Sequence, residues 1–230
     1  MTENEILEII YPSIVTYRGN WEQMISDVRK LKLEKVSLFL TATAKPDRSR
    51  IYRQLKSSCV KFIPHVHLMS EMTDEEMTYL IKNYNTRAFT THQEFISDFI
   101  ASVYRNKIFI ENSFNSDEKA LSEKIRLFKG ICLDLAHFFE DSRKRPIFLK
   151  MTKQALKKYE IGCNHLSVIL PDGESDHLAK KDENFNYLHK LPQSYFSRYI
   201  CLELINPIAE QLEYKNKIAK LLSKTWKRKF

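Results

Sequence analysis

The chain alternates between short apolar runs and longer charged stretches. Eight runs recur, at residues 6–12, 36–42, 60–68, 88–92, 108–114, 131–138, 163–170 and 199–205. They are rich in Ile, Val, Phe and Leu and nearly continuous, the pattern of strands buried on both faces. The stretches between them have helical character. Residues 20–32 carry Trp21, Met24, Ile25, Val28 and Leu31 on one stripe. Thr73 followed by Glu76 has the spacing of a capping box. Ser116 opens another helix, and residues 146–160 and 207–222 read as two more. Strands alternating with helices give βα units and a parallel sheet. Eight such units in 230 residues predict a closed (β/α)8 barrel of the TIM type, one α/β domain over residues 1–230. A doubly wound open sheet is the alternative, but it usually has fewer strands and carries a Gly-rich first turn that is absent here. The polar segment 170–193 reads as a long loop at the active-site end. Residues 224–230 read as a frayed basic tail unless their tryptophan anchors them.

Composition narrows the chemistry. Four glycines, Gly19, Gly130, Gly162 and Gly173, cannot write a GxGxxG or GxxxxGK[ST] phosphate loop. Lys and Arg number 37 against 29 acids, a net charge of +8. Such a balance favours anionic partners. Many of the extra lysines (Lys30, Lys32, Lys157, Lys158, Lys217, Lys220) fall on outer helices, where a charge run is a solvated face. A small phosphorylated or sugar substrate is therefore expected ahead of DNA. The N-terminus MTENEILEII has no basic region before an apolar one, and no apolar run reaches the roughly 18 residues of a membrane span. Cys59, Cys132, Cys163 and Cys201 are scattered like small buried hydrophobes. A reduced, cytoplasmic protein is expected.

Barrel enzymes place their chemistry at the C-terminal ends of the strands. His65 and His67 close the third run and His92 the fourth. Glu111 follows Ile108-Phe-Ile, Asp134 and His137 close the sixth run, and His165 lies in the seventh beside Asn164. Asp176 and His177 stand in the following loop, and Glu203 follows Ile200-Cys-Leu. A carboxylate after such a run is costly to bury alone, and three converging on one mouth repel one another. A shared divalent cation resolves this, with the histidines adding nitrogen ligands. A mixed His/carboxylate set suits Zn²⁺, Mn²⁺ or Fe²⁺ better than Ca²⁺. His65 is expected as the ligand on the third strand, with His67 beyond its end, and His189 at the surface. Asn112, Ser113 and Ser116 are available as helix caps, which leaves Glu111 free.

Three segments, GICLDLAHFFED, IFIENSF and YICLELI, together with CNHLS, resemble the xylose isomerase-like TIM-barrel superfamily. That superfamily includes sugar phosphate isomerases and epimerases and the endonuclease IV-type apurinic/apyrimidinic endonucleases. The resemblance covers nearly the whole chain in order. It implies Glu111, Asp134, His165 and Glu203 as metal ligands. It implies a substrate or further-metal role for His137, and an additional metal at His65 and His92. Asp176-His177 resembles either the nuclease's Asp-x-His pair, without the intervening residue, or a DHL segment common in the isomerase-like members. The nuclease's long DNA-penetrating loops, the aldose isomerases' lysine and the epimerases' arginine have no counterpart.

Two enzyme readings follow, with one to three ions. In the first, Glu111 bridges two cations for hydrolysis of a phosphate ester or phosphodiester. One cation is held by His65 and His92, the other by Asp134, His165 and Glu203. In the second, one cation polarises a sugar carbonyl while Glu111 or Glu203 shuttles a proton between carbons. A third reading is an inactive barrel kept as a binding module, disfavoured by the cost of its buried acids.

Overall fold

A computed structural model describes residues 1–112 and 124–227. The expected helix start at Ser116, the candidate caps Ser113 and Ser116, and residues 228–230 lie outside the described residues.

Eight parallel strands close into a barrel. β1 comprises Ile10–Tyr11 and Ser13–Val15, and β2 to β8 are Ser37–Phe39, His65–His67, Ala88–Thr91, Ile108–Glu111, Gly130–Asp134, Ile161–Leu166 and Ile200–Leu202. Closure depends on Pro12. The segment before it pairs with β8 (Ile10 opposite Ile200) and the segment after it pairs with β2 (Ser13 opposite Ser37). Proline has no N–H to give a ladder, but its carbonyl accepts from the Ser37 amide at 2.8 Å. Gln211 completes the seam from the last helix. Its Oε1 accepts from the Ser13 amide at 2.7 Å, and its Nε2 donates to the Ser13 carbonyl at 3.0 Å. Every other strand pairs with its sequence neighbour. The fold is a (β/α)8 barrel, not the open sheet.

The first apolar run is corrected. Glu3–Ile9 is a helix, because Thr2 and Glu5 form a capping box that directs the chain helically before the strand begins. The sixth run divides at Asp134, which ends β6 and caps the helix Leu135–Lys144, its Oδ1 accepting from the His137 amide at 2.8 Å. The helix expected over 146–160 spans Pro146–Ala155. In the third run Pro64 interrupts pairing, so only His65–His67 is strand. The seventh run continues into a hairpin arm, Val168–Ile169, paired with Ser175–Asp176, and the 170–193 segment then forms a 3-10 helix over Asp182–Lys190. Residues 224–227 are not a frayed tail. The last helix runs Ile208–Lys227, and Trp226 is buried against Phe196 with ring centroids 5.1 Å apart. Cys59 is exposed, whereas the other three cysteines are buried as expected. Among the described residues no helix is long and apolar enough to cross a membrane.

Thr73 occupies the cap of the helix Asp74–Tyr84 but makes no capping hydrogen bond, and Glu76 is engaged elsewhere. Its carboxylate takes both arms of Arg48, Nε to Oε1 and Nη2 to Oε2 at 2.9 Å each. Arg48 is fully buried, and its Nη1 donates to the Thr43 carbonyl at 2.7 Å and to Glu71 at 3.1 Å. A bidentate pair with its remaining donors used is the arrangement in which a buried guanidinium is tolerated. It ties the loop after β2 to the loop after β3, beside the strand that ends in His67. Arg48→Met would leave Glu76 without its partner. We expect a loss of about 3 kcal/mol in urea unfolding, whereas Glu71→Gln, at an exposed carboxylate, costs under about 1 kcal/mol.

Candidate metal centre

The C-terminal ends of β3 to β8 bring most of the polar strand-end residues to one place. Glu111, 3% exposed, is the hub. Its Oε2 lies 3.3 Å from His67 Nε2, 3.4 Å from His92 Nε2 and 3.2 Å from His165 Nδ1. Glu203 Oε2 stands 3.5 Å from the same His165 Nδ1. Alternation along the strands explains the convergence. Residues 90 and 92 share a face, as do 65 and 67, and inward-facing positions of neighbouring strands form layers. Phe39 floors the site, its ring 4.8 Å from that of His165 and 5.1 Å from that of His65.

The third-strand histidine that faces Glu111 is His67, not the expected His65. His67, at 2% exposure, ends β3 inside the barrel and faces Glu111, while His65 lies one layer deeper. His65 Nε2 is taken by the Thr90 hydroxyl at 2.9 Å and by His165 Nε2 at 3.1 Å. The strand stops at residue 67, so the outer histidine of the pair, not the inner one, reaches the mouth.

Among the described residues, two groups of three have ligand atoms mutually within 4.8 Å: His67, His92 and Glu111, and Glu111, Asp134 and His165. Glu111 belongs to both. The donor chemistry fits a cation. His67 Nδ1 lies 3.1 Å from the Leu68 carbonyl. That oxygen only accepts, so the N–H is on Nδ1 and the Nε2 lone pair points at the Glu111 carboxylate. His67 Nε2, Glu111 Oε2, Asp134 Oδ2 and His165 Nδ1 are all buried without a hydrogen-bond partner among the described residues. His67 Nε2 and Glu111 Oε2 are two acceptors facing each other, which is costly unless a cation stands between them. Nitrogen and carboxylate donors without thiolates suit Zn²⁺, Mn²⁺ or Fe²⁺.

Asn112, expected as a helix cap, instead holds the second group together. Its Oδ1 accepts from the Asp134 amide at 2.6 Å and its Nδ2 donates to the Asp134 carbonyl at 3.2 Å. Asp134 divides its carboxylate, Oδ1 capping the helix and Oδ2 left toward the site. Asn164 is structural, donating to the carbonyls of Leu133 and Tyr195.

His137, Asp176 and His177 stand at the rim and belong to neither group. His137 Nε2 is 3.9 Å from Asp134 Oδ2. Asp176 Oδ1 accepts from the His177 amide at 2.7 Å and lies 3.6 Å from Arg18 Nη1. His177 Nδ1 donates to the Glu203 carbonyl at 3.1 Å. His189 is at the surface, bonded to Thr225 and away from the site. Arg18, Thr90 and Phe39 escaped the sequence reading. The alternation of Thr90 with His92 was the available signal for one of them, and nothing in the sequence singles out the other two.

The electrostatics follow from burial and from Glu111. Burial pushes the His67 imidazole down to about 4 despite the Glu111 carboxylate. Burial also works against His92, but the Glu111 charge, with Glu94 behind it, carries that imidazole up to about 9. Glu203 is held well above the carboxylate range by burial, then by Glu111 and Asp134. Burial opposes ionisation of Glu111, yet His165 and His92 keep its carboxyl well below the usual range.

No family model matches the chain, and no curated protein matches it. Among solved structures, it is similar to a xylose isomerase domain protein from Planctomyces limnophilus, at 12% identity and a TM-score of 0.46, over 92% of this chain and 97% of that one. It is also similar to a family 2 AP endonuclease from Brucella melitensis, at 10% identity and a TM-score of 0.47, over 89% and 96%. The barrel assignment stands on the strand order and register described above.

In cation-free protein, an NMR titration is expected to place His92 at about 9 and to find His67 neutral down to about 4. Glu111→Gln removes the larger of the two charges that raise His92 and leaves Glu94, so its pKa falls from about 9 toward the ordinary 6.5. Because the folded value is the raised one, the His92–Glu111 pair contributes its full stability below pH 6.5 and loses it as pH rises through about 9.

Proposed function

We propose that the chain is a divalent-metal-dependent enzyme that hydrolyses a phosphate ester or phosphodiester, with two cations sharing Glu111. The observation that supports this reading is the pair of three-residue groups with Glu111 in common, each aiming orphaned buried atoms at one place. His67 and His92 would hold one cation with Glu111. Asp134 and His165 would hold the other, with Glu203 beside them. Cations bound there would neutralise phosphoryl charge and acidify a water. The chain's own residues do the positioning. Asn112 fixes the backbone of Asp134, and the Leu68 carbonyl fixes the tautomer of His67. At the rim, Arg18 offers a half-exposed guanidinium to an anionic substrate.

A second reading, isomerisation or epimerisation of a small sugar or sugar phosphate at one cation, is favoured by Glu203. Its carboxyl lies outside both groups and is held toward its protonated form, as a proton shuttle between carbons requires.

Elemental analysis after loading with zinc or manganese tests the two readings. Two ions per chain, falling to one in His92→Ala and below one in Glu111→Gln, with a phosphodiester turned over, is the expected result. One ion, unchanged in His92→Ala, with turnover of a keto-sugar, overturns hydrolysis in favour of isomerisation. Ligation needs a neutral His92 imidazole, so binding at the first group releases a proton below pH 9 or so. Its affinity should rise with pH by up to about tenfold per unit until then.

A further inference from the structure

His65 is fully buried and lies directly beneath the proposed ligand His165, with the two Nε2 atoms 3.1 Å apart. The Thr90 hydroxyl is 2.9 Å from the first and 3.4 Å from the second. On the far side of the ring, His165 Nδ1 faces Glu111 Oε2 at 3.2 Å. A neutral imidazole carries one N–H, and two ring nitrogens at this distance must be one donor and one acceptor. With one N–H on each ring, two arrangements are open. In the first, His65 Nε2–H donates to His165 Nε2, and His165 Nδ1–H donates to Glu111. In the second, His165 Nε2–H donates to His65 Nε2. The His165 Nδ1 lone pair is then free for a cation, and the hydrogen of His65 sits on its Nδ1.

We infer that His65 is the positioning residue that sets the tautomer of His165, and that cation binding at Glu111 switches the pair from the first arrangement to the second. This rests on the metal centre proposed above. The hydrogen on His165 Nδ1 leaves, the one on His65 Nε2 crosses to His165 Nε2, and one is taken up at His65 Nδ1. One hydrogen leaves and one arrives, so no net proton is exchanged. His65 Nδ1 has no hydrogen-bond partner among the described residues. It is a bare lone pair in the first arrangement and an unsatisfied N–H in the second. Orphaned buried N–H groups are rarer in proteins than under-satisfied acceptors, so the cation is what drives the switch. Thr90 serves both states, because its hydroxyl can accept from one ring or donate to the other.

Protein labelled with nitrogen isotope in histidine, compared zinc-free and zinc-loaded, reports which ring nitrogen is protonated. The expected result is protonation of His65 Nε2 and His165 Nδ1 without zinc, and of His65 Nδ1 and His165 Nε2 with it. Zinc uptake with unchanged His65 nitrogens overturns this inference alone, and no zinc uptake by the wild type overturns the metal centre with it. Two variants separate positioning from packing. His65→Phe should weaken zinc binding about 10- to 100-fold. His65→Gln, whose carbonyl can accept from His165 Nε2–H, should restore it to within a few-fold. Equal zinc affinity in wild type and both variants, with only the melting temperature moved, also overturns it.

Discussion

A single ionised carboxylate sets the terms for the upper half of this barrel. Glu111 is almost fully buried at the end of an apolar strand, where an isolated charge would cost several kcal/mol. The surrounding residues are arranged around that cost. His67, His92 and His165 each present a ring nitrogen to the same oxygen. His92 answers by holding a proton, and His67 does not, because deeper burial and the neighbouring His92 oppose a charge there. Three imidazoles around one carboxylate oxygen therefore differ in what they offer, and the difference comes from depth and from their outer hydrogen bonds.

Depth is a property of the barrel. Strands tilt and stagger so that every second residue enters the interior and neighbouring strands contribute to common layers. His65 and His67 are separated by one such step. The outer of the two reaches the mouth with Glu111, and the inner pairs with Thr90 and His165 above an apolar floor at Phe39. The seam at Pro12 fixes that stagger, since one interrupted strand must satisfy β8 on one side and β2 on the other. Gln211, reaching in from the last helix, supplies hydrogen bonds to the backbone there.

Much of this was legible in the sequence, for identifiable reasons. Near-continuous apolar runs mark strands buried on both faces, and a polar residue that ends such a run must point to the mouth. Those two facts place Glu111, Asp134, His165 and Glu203. They do not say where pairing stops inside a long run: after Pro64 only His65–His67 is strand, and His67 rather than His65 faces Glu111. Run boundaries also hide changes of element. Residues 131–138 read as one strand although Asp134 both ends β6 and caps a helix. The helix at Glu3–Ile9 was signalled by Thr2 and Glu5, but the apolar run overlapping it drew the strand too early. Arg48 was invisible, because a charged residue on an amphipathic helix gives no sign that a distant Glu76 will allow its burial.

Asp134 shows how the barrel's construction and its chemistry share atoms. One carboxylate oxygen caps the helix Leu135–Lys144, so the side chain's orientation is fixed by backbone donors that the helix must satisfy in any case. Asn112, next to Glu111 on the neighbouring strand, clamps the Asp134 backbone from the other side. The second oxygen is then held toward Glu111 and His165 without a hydrogen-bond partner among the described residues. An acceptor kept unsatisfied by rigid neighbours would meet a cation, as the proposed centre requires, without first giving up another partner. Pre-organisation of this kind comes at little extra cost here, because the same capping bond and strand clamp are what end β6 and begin the next helix.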